Sequence, residues 1–182
     1  MGYTAVVDYG VGNLKSIANA MDYLGLPTQV TDDAGTLERA DAIILPGVGA
    51  FPDAADRLRS GGLDQHVLAQ GQKKPVLGIC LGMQLLLEQG REVRPCPGLG
   101  VIRGTVDRIP TQSKLPHIGW NSLRFFHHSP LFRGLDEGAY VYFVHSFSAQ
   151  DTDPAQVIAV TDYGPAVTAA VSSGNFYGTQ FH

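Results

Sequence analysis

The run Gly78-Ile79-Cys80-Leu81-Gly82 closes a short apolar segment and leads at once into helix-forming residues over 83–88. A cysteine between two glycines at such a junction is the thiol form of a nucleophile elbow, a strand that turns sharply into a helix with a reactive side chain at the corner. The turn leaves little room beside the corner, which glycine tolerates because it has no Cβ. A thiol at a helix N-terminus would meet unpaired N–H groups and the positive end of the helix dipole, which favour thiolate. The Leu81 N–H would lie beside the sulfur, where an oxyanion forms in acyl transfer. The alternative is a small buried residue closing a core strand, as free cysteines often are.

A nucleophilic thiol needs a base, and six histidines are available. His66 falls in a helical stretch with polar neighbours and reads as solvated. His127 and His128 precede Ser129-Pro130 and read as a surface turn, with no further ligands in sequence to suggest a metal. His117, His145 and His182 all fall at or near strand ends, and the residues alone do not choose among them. A second loop, Pro46-Gly47-Val48-Gly49, offers backbone N–H groups to an anion or is an ordinary turn. Tyr9-Gly10-Val11-Gly12-Asn13 stands where a dinucleotide fingerprint would. Lys15 occupies the third glycine position, so the fingerprint fails and a tight turn capped by Asn13 remains. Trp120, the single tryptophan, is a core aromatic or an interface anchor.

The elements that would position these residues alternate strand and helix in the first half. A strand over 4–9 precedes a helix marked by Leu14, Ile17, Ala18, Met21 and Leu24, and a strand near 28–31 follows. The wholly apolar runs at 42–45 and 76–79 read as buried parallel strands. Residues 52–70 read as helix interrupted at Gly61-Gly62. Such βα units imply a parallel sheet with helices on both faces, whose strand C-termini gather the loops on one edge. The second half reads as strands over 98–109, 118–126, 139–148, 157–162 and 166–171, with a short turn at 129–135. One domain with a mixed, mostly parallel sheet and antiparallel additions is expected over 1–182.

The net charge of −4 argues against a basic nucleic-acid-binding surface. No run of about 18 apolar residues suggests a membrane helix. Two cysteines outside any CxxC pair give neither a zinc knuckle nor a disulfide framework, and the expected location is cytoplasmic. No cofactor and no metal are expected.

Five blocks together resemble the class I, triad-type glutamine amidotransferases, and more narrowly the glutaminase subunits of imidazole glycerol phosphate synthase. They are 8–14, 45–51, 78–84, 116–121 (Pro116-His117-Ile118-Gly119-Trp120-Asn121) and 178–182. The resemblance implies a three-layer, flavodoxin-like fold. It implies that Cys80 attacks the glutamine side-chain amide to form a thioester and that His182 is the base. Backbone N–H groups of Val48 and Leu81 would hold the oxyanion, and Gly49, Gln84, Glu92, Ser146 and Phe147 would surround glutamine. It also implies a heterodimer with a (β/α)₈-barrel cyclase subunit that receives ammonia through a channel. Asn13, Lys15, His117, Trp120, Asn121 and Tyr142 would lie near that interface.

The family's last block continues His-Pro-Glu, whereas this sequence ends at His182, so weak or no glutaminase activity is expected of the chain as it stands. Three other readings follow. One is another class I subunit, such as that serving pyridoxal phosphate synthesis, which the 116–121 block disfavours. The others are a non-catalytic subunit of the same fold and a cysteine hydrolase acting on another amide.

Overall fold

The computed structural model describes residues 2–182. Its first half runs β1 (Thr4–Val7), α1 (Leu14–Tyr23), β2 (Thr28–Thr31), α2 (Ala34–Arg39), β3 (Ala42–Leu45), α3 (Phe51–Ser60), α4 (Leu63–Gly71), β4 (Val76–Ile79) and α5 (Leu81–Leu85). Extended segments then dominate. They are β5 (Leu87–Gly90), β6 (Cys96–Pro97), β7 (Ile102–Arg108), β8 (His117–Ser122), β9 (Arg124–Phe125), β10 (Tyr140–His145), β11 (Phe147–Gln150), β12 (Val157–Asp162), β13 (Ala166–Ser173) and β14 (Phe176–Thr179). Short 3₁₀ turns at Pro130–Phe132 and Pro154–Gln156 interrupt them.

The central sheet has the order β2-β1-β3-β4-β14-β13-β12-β9. Its first five strands are parallel and its last three antiparallel. The parallel part follows the 2-1-3-4-5 flavodoxin order, with β14 as the fifth strand. The α/β expectation with antiparallel additions therefore holds. Two smaller sheets, β10-β8 and β11-β7-β5-β6, extend the second half beyond the single mixed sheet that strand spacing suggested.

The apolar runs of β1, β3 and β4 bury Ala5, Val7, Ile43, Leu45 and Val76 against Leu37, Leu58, Leu63 and Val67 of α2, α3 and α4. A second cluster gathers Phe143 and Leu123 with Ile158, Ala159 and Ala169 of the antiparallel strands. The break at Gly61-Gly62 is present, with Gly62 in the left-handed region at φ 68°. The α1 stripe is only half-buried, and Leu24 lies at its exposed C-terminal end.

Three local readings need correction. The helix after Cys80 stops at Leu85, and Leu87–Gly90 forms β5. Backbone N–H groups of Leu99, Gly100 and Ile102 claim the carbonyls of Leu85, Leu87 and Leu86, so tertiary pairing overrides helix propensity. The 139–148 strand is two strands broken at Ser146, which lets β10 and β11 join different sheets. The 118–126 strand also divides, with β8 pairing β10 and β9 pairing β12.

Candidate active site

Cys80 sits between β4 and α5 with φ 55° and ψ −111°, a left-handed conformation costly for a non-glycine residue. Its surroundings hold it there. The Cys80 N–H donates to the Thr179 carbonyl at 2.7 Å, and the Cys80 carbonyl accepts from the Gln84 N–H at 3.2 Å. A Cβ at Gly78 would stand 2.6 Å from the Gly82 carbonyl oxygen, and one at Gly82 would overlap the Leu45 carbonyl oxygen. Both glycines are thus required by the close approach of backbone, as the elbow reading expects.

The parallel pairing of β14 with β4 brings the far end of the chain to this corner. Thr179 faces Ile79 in the register, so the residues after Thr179 leave the sheet beside Cys80. His182 follows three residues later and lines the same cleft, where its ring makes no hydrogen bond to the sulfur. Its N–H donates to the Tyr142 carbonyl at 3.0 Å.

The cleft measures about 390 Å³, within the roughly 300–1,000 Å³ usual for small-molecule sites. Val48, Gly49, Leu81, Gln84, Glu92, Ser146 and Phe147 all line it with Cys80 and His182. These are the residues that the family resemblance implies around glutamine and its oxyanion. Glu92 is held there because its carboxylate accepts the Phe51 N–H at 2.8 Å, at the start of α3, where no side chain of the N-cap residue does so. The Val48 loop is fixed from beneath by Tyr9, whose hydroxyl donates to the Pro46 carbonyl at 2.6 Å. Burial, with the Cys80 thiol nearby, pushes the Tyr9 pKa well above its ordinary value, so the phenol stays a neutral donor.

The thiol departs from expectation. Burial pushes the Cys80 pKa up to about 11, against smaller lowering contributions from the Leu81 N–H and the Gln180 amide. Helix α5 has only five residues, and Cys80 is 8% exposed, so desolvation outweighs the dipole.

Two residues that sequence reasoning did not assign complete the site. Gln180, fully buried, donates from Nε2 to Cys80 Sγ at 3.6 Å and accepts from Gln84 Nε2 at 2.8 Å. Gln84 Nε2 also donates to the Phe147 carbonyl at 3.0 Å, linking the elbow to the opposite wall. His145 lines the cleft, and burial lowers its pKa to about 4. A long amide two residues before a candidate base was the only sequence signal for Gln180, and His145 had no more claim than its neighbours.

The remaining histidines fall as chemistry suggests. His66, His127 and His128 are exposed. His117 is 2% exposed and cannot meet a partner surface as expected, because strand alternation in β8 turns it inward while Ile118 and Trp120 face out. Trp120, 70% exposed, meets Tyr142 edge-on at 5.8 Å across the β8–β10 pair. Asn13 caps α1, accepting the Ser16 N–H, and Lys15 is exposed beside it. Asn121 is half-buried and bonded within the fold.

The family described as glutamine amidotransferase class-I matches residues 5–182. The chain is 46% identical over 179 residues to the imidazole glycerol phosphate synthase subunit HisH of Oceanobacillus iheyensis, covering 98% of this chain and 89% of that one. It is 45% identical over 181 residues to the subunit of the same name from Bacillus cereus, covering 98% and 85%. Among solved structures, a glutamine amidotransferase superposes with a TM-score of 0.78 at 20% identity, covering all of this chain and 90% of that one. PurLQS from Thermotoga maritima superposes with a TM-score of 0.74 at 20% identity, covering all of this chain and 87% of that one. At these identities the structural matches speak to the fold alone.

Proposed function

The chain belongs to the class-I glutamine amidotransferase family, and on that premise we propose that it is the glutaminase subunit of imidazole glycerol phosphate synthase. It hydrolyses L-glutamine to glutamate and passes the ammonia to a cyclase subunit in histidine biosynthesis. The observation that carries this reading is the single cleft lined by an elbow thiol, a histidine, and the Val48 and Leu81 backbone.

The chemistry follows from that convergence. With a pKa of about 11, Cys80 rests as a thiol and needs a base to react near pH 7. Burial keeps the His182 pKa below its ordinary value, so its ring is neutral and can take the thiol proton. The sulfur attacks the side-chain amide carbon of glutamine. The oxygen that gains the charge is met by the Leu81 N–H and the Val48 N–H. The His182 imidazolium returns its proton to the amide nitrogen, which leaves as ammonia, and a thioester remains on Cys80. Water then attacks the thioester, giving its proton to His182, and glutamate departs as the thiol re-forms. Gly49, Gln84, Glu92, Ser146 and Phe147 hold the substrate, with Gln84 anchored to both walls of the cleft.

Ammonia released into water is largely protonated and loses its nucleophilicity, so a receiving subunit must cover the site. A barrel cyclase docked on the outer face of β8 and β10 fits this need. Ile118, Trp120, Tyr140 and Val144 expose a continuous apolar surface there, which in a soluble domain marks an interaction face. Asn13 and Lys15 at the start of α1 extend that contact, as does Tyr142 beside Trp120, whereas Asn121 shares the inward face of β8 with His117. We place the protein in the cytoplasm, where both of its free cysteines would stay reduced. No helix is long and apolar enough to cross a membrane among the described residues.

The test is ammonia release from glutamine by this chain together with a barrel cyclase subunit. Release should depend on Cys80 and vanish in Cys80→Ala. Undiminished release by that variant would overturn the assignment.

A further inference from the structure

Two buried histidines lie outside the chemistry above, and their hydrogen bonds can be read without ambiguity. His145 Nδ1 stands 2.8 Å from the Phe147 carbonyl. His145 Nε2 stands 3.2 Å from His117 Nδ1, and His117 Nε2 stands 3.3 Å from Asn121 Nδ2. Both ends of this chain are pinned by backbone. A carbonyl only accepts, so His145 Nδ1 carries a proton. At the other end, Asn121 Oδ1 accepts the Ser122 N–H at 2.9 Å and Nδ2 donates to the Asp162 carbonyl at 2.9 Å, which fixes the amide orientation. Asn121 Nδ2 is therefore a donor, and His117 Nε2 must hold a lone pair. His117 then carries its proton on Nδ1 and donates it to a lone pair on His145 Nε2. Each ring is neutral, each is the Nδ1–H tautomer, and every bond points the same way, from Asn121 to Phe147.

The ring planes are held as firmly as the protons. His117 lies between Tyr163, stacked at 4.0 Å, and Phe143, stacked at 4.7 Å. An additional proton on either ring would set two N–H groups face to face. The groups around the pair bear on its charge in opposite directions. His182 and Cys80 share the cleft with His145, and Glu92 lies across it. Tyr163 and the Asp162 backbone meet His117 and Asn121, while the Asp162 carboxylate is turned to Arg124 at 3.7 Å. None of these supplies the acceptor that a charged His145 would need at Nε2.

We propose that Asn121, His117 and His145 form a one-way hydrogen-bond relay that keeps His145 uncharged beside His182 and fixes the Ser146–Phe147 wall of the glutamine cleft. All three are positioning residues. The catalytic consequence rests on the glutaminase reading: a cationic His145 would repel the imidazolium that His182 must become. The wall matters because the Phe147 carbonyl accepts from Gln84 as well as from His145, so one oxygen joins the elbow to the relay. The relay begins one residue from Trp120, on the strand whose other face is exposed.

The first measurement needs neither substrate nor partner. Imidazole ¹⁵N shifts of the unaltered chain at pH 7 should show His117 and His145 both as neutral Nδ1–H tautomers, the minor form of histidine in water. An Nε2–H tautomer or an imidazolium at either position overturns the relay, whether or not ammonia is released. Asn121→Asp supplies the second. A carboxylate only accepts, so His117 must turn its proton to Nε2, its Nδ1 becomes an acceptor, and His145 must donate from both nitrogens. The variant should hold one additional proton on the pair at pH 7, and the acid limb of its kcat/KM profile, now set by loss of that proton rather than by His182, should move up by about one pH unit. That is a loss of at most about fivefold at pH 6.5, approaching tenfold only at lower pH and recovered above pH 8. An unshifted limb with a neutral pair refutes the proposal. His117→Leu and His117→Gln give an independent comparison. The glutamine can accept and donate as the imidazole does and should recover most of the activity lost in the leucine variant, and equal losses would count against the relay. Correct tautomers without ammonia release would leave the relay standing and sink the functional reading instead.

Discussion

The ionisation of Cys80 separates two physical accounts of the same corner. If the helix dipole governed it, the thiol would titrate below its ordinary value of 9.0, whereas burial places it at about 11. The difference is large enough to measure on the free chain. At pH 8 the thiolate fraction is about 10⁻³ for Cys80 and about 10⁻¹ for an ordinary thiol, a hundredfold deficit. Thiolates of higher pKa are better nucleophiles, with a Brønsted slope of about 0.4–0.5, which returns roughly eightfold over two units. Reaction with a small neutral disulfide at pH 8 should therefore run about tenfold slower than in the urea-unfolded chain. The pH dependence is sharper still. The Cys80 rate should keep rising about tenfold per unit through pH 10, where an ordinary thiol has levelled off. Peptide mapping follows Cys80 apart from Cys96, which is fully buried, and far-UV circular dichroism confirms that the fold persists. Gln180→Leu removes the side-chain donor to the sulfur and should slow the reaction a further two- to threefold or so, since a bond worth about 1 kcal/mol lowers the thiolate about fivefold and the Brønsted gain returns about twofold. A plateau at or below pH 9 would refute the dominance of burial, and with it the need for a base to generate the thiolate.

Gly78→Ala should lower stability by about 3 kcal/mol, read from the urea midpoint, because three backbone atoms lie 2.6–2.7 Å from the new methyl and cannot yield. Gly49→Ala, with open space but φ +98°, should cost only about 1–2 kcal/mol, so the reverse ranking would contradict the packing account. Burial depresses the pKa values of His117, His145 and His182, so the folded state binds fewer protons than the unfolded chain below about pH 6.5. Stability present above that pH is lost as pH falls through the folded pKa, by on the order of 3 kcal/mol at pH 4 for His145 alone. Urea midpoints from pH 7 to 4.5 should show this decline, and His145→Gln should flatten it. Trp120→Ala should weaken cyclase binding about thirtyfold or more, the loss of a roughly 2 kcal/mol aromatic anchor. Unchanged affinity and unchanged ammonia transfer would remove Trp120 from the interface.

What sequence made visible was local. Ala42-Ile43-Ile44-Leu45 is a strand buried on both faces, so its apolar run has no competing reading. Gly62 breaks α3 from α4 because it takes up a left-handed φ of 68°, which glycine adopts without a Cβ penalty. Gly78 and Gly82 mark the elbow because the backbone approaches too closely for a Cβ. What sequence hid was set by contacts between distant segments. The helix after Cys80 ends early because Leu99 to Ile102 fold back onto its last carbonyls. The thiol is not acidic because the walls that bury it come from β11 and the chain end. His117, His145 and His182 looked alike in sequence, since each stands at a strand end. They differ in the fold by what faces each ring nitrogen, and only the first two are locked.

The placement of β14 explains why these distant segments meet. The β13–β14 hairpin returns the chain into the sheet beside β4, the one neighbour whose C-terminus leads into Cys80. Parallel pairing then makes both strands end on the same edge, and the Thr179 carbonyl bonded to the Cys80 N–H locks the register at that edge. From Thr179 the chain has two residues, Gln180 and Phe181, before it reaches His182. Gln180 is directed inward to the sulfur and Phe181 packs with the second core cluster, so His182 is delivered to the cleft rim. A slip of one residue would exchange these roles, presenting Phe181 to the sulfur and Gln180 to the apolar cluster, where its amide would be unpaired. The pairing that buries the apolar cluster is therefore the pairing that brings His182 to the cleft of Cys80.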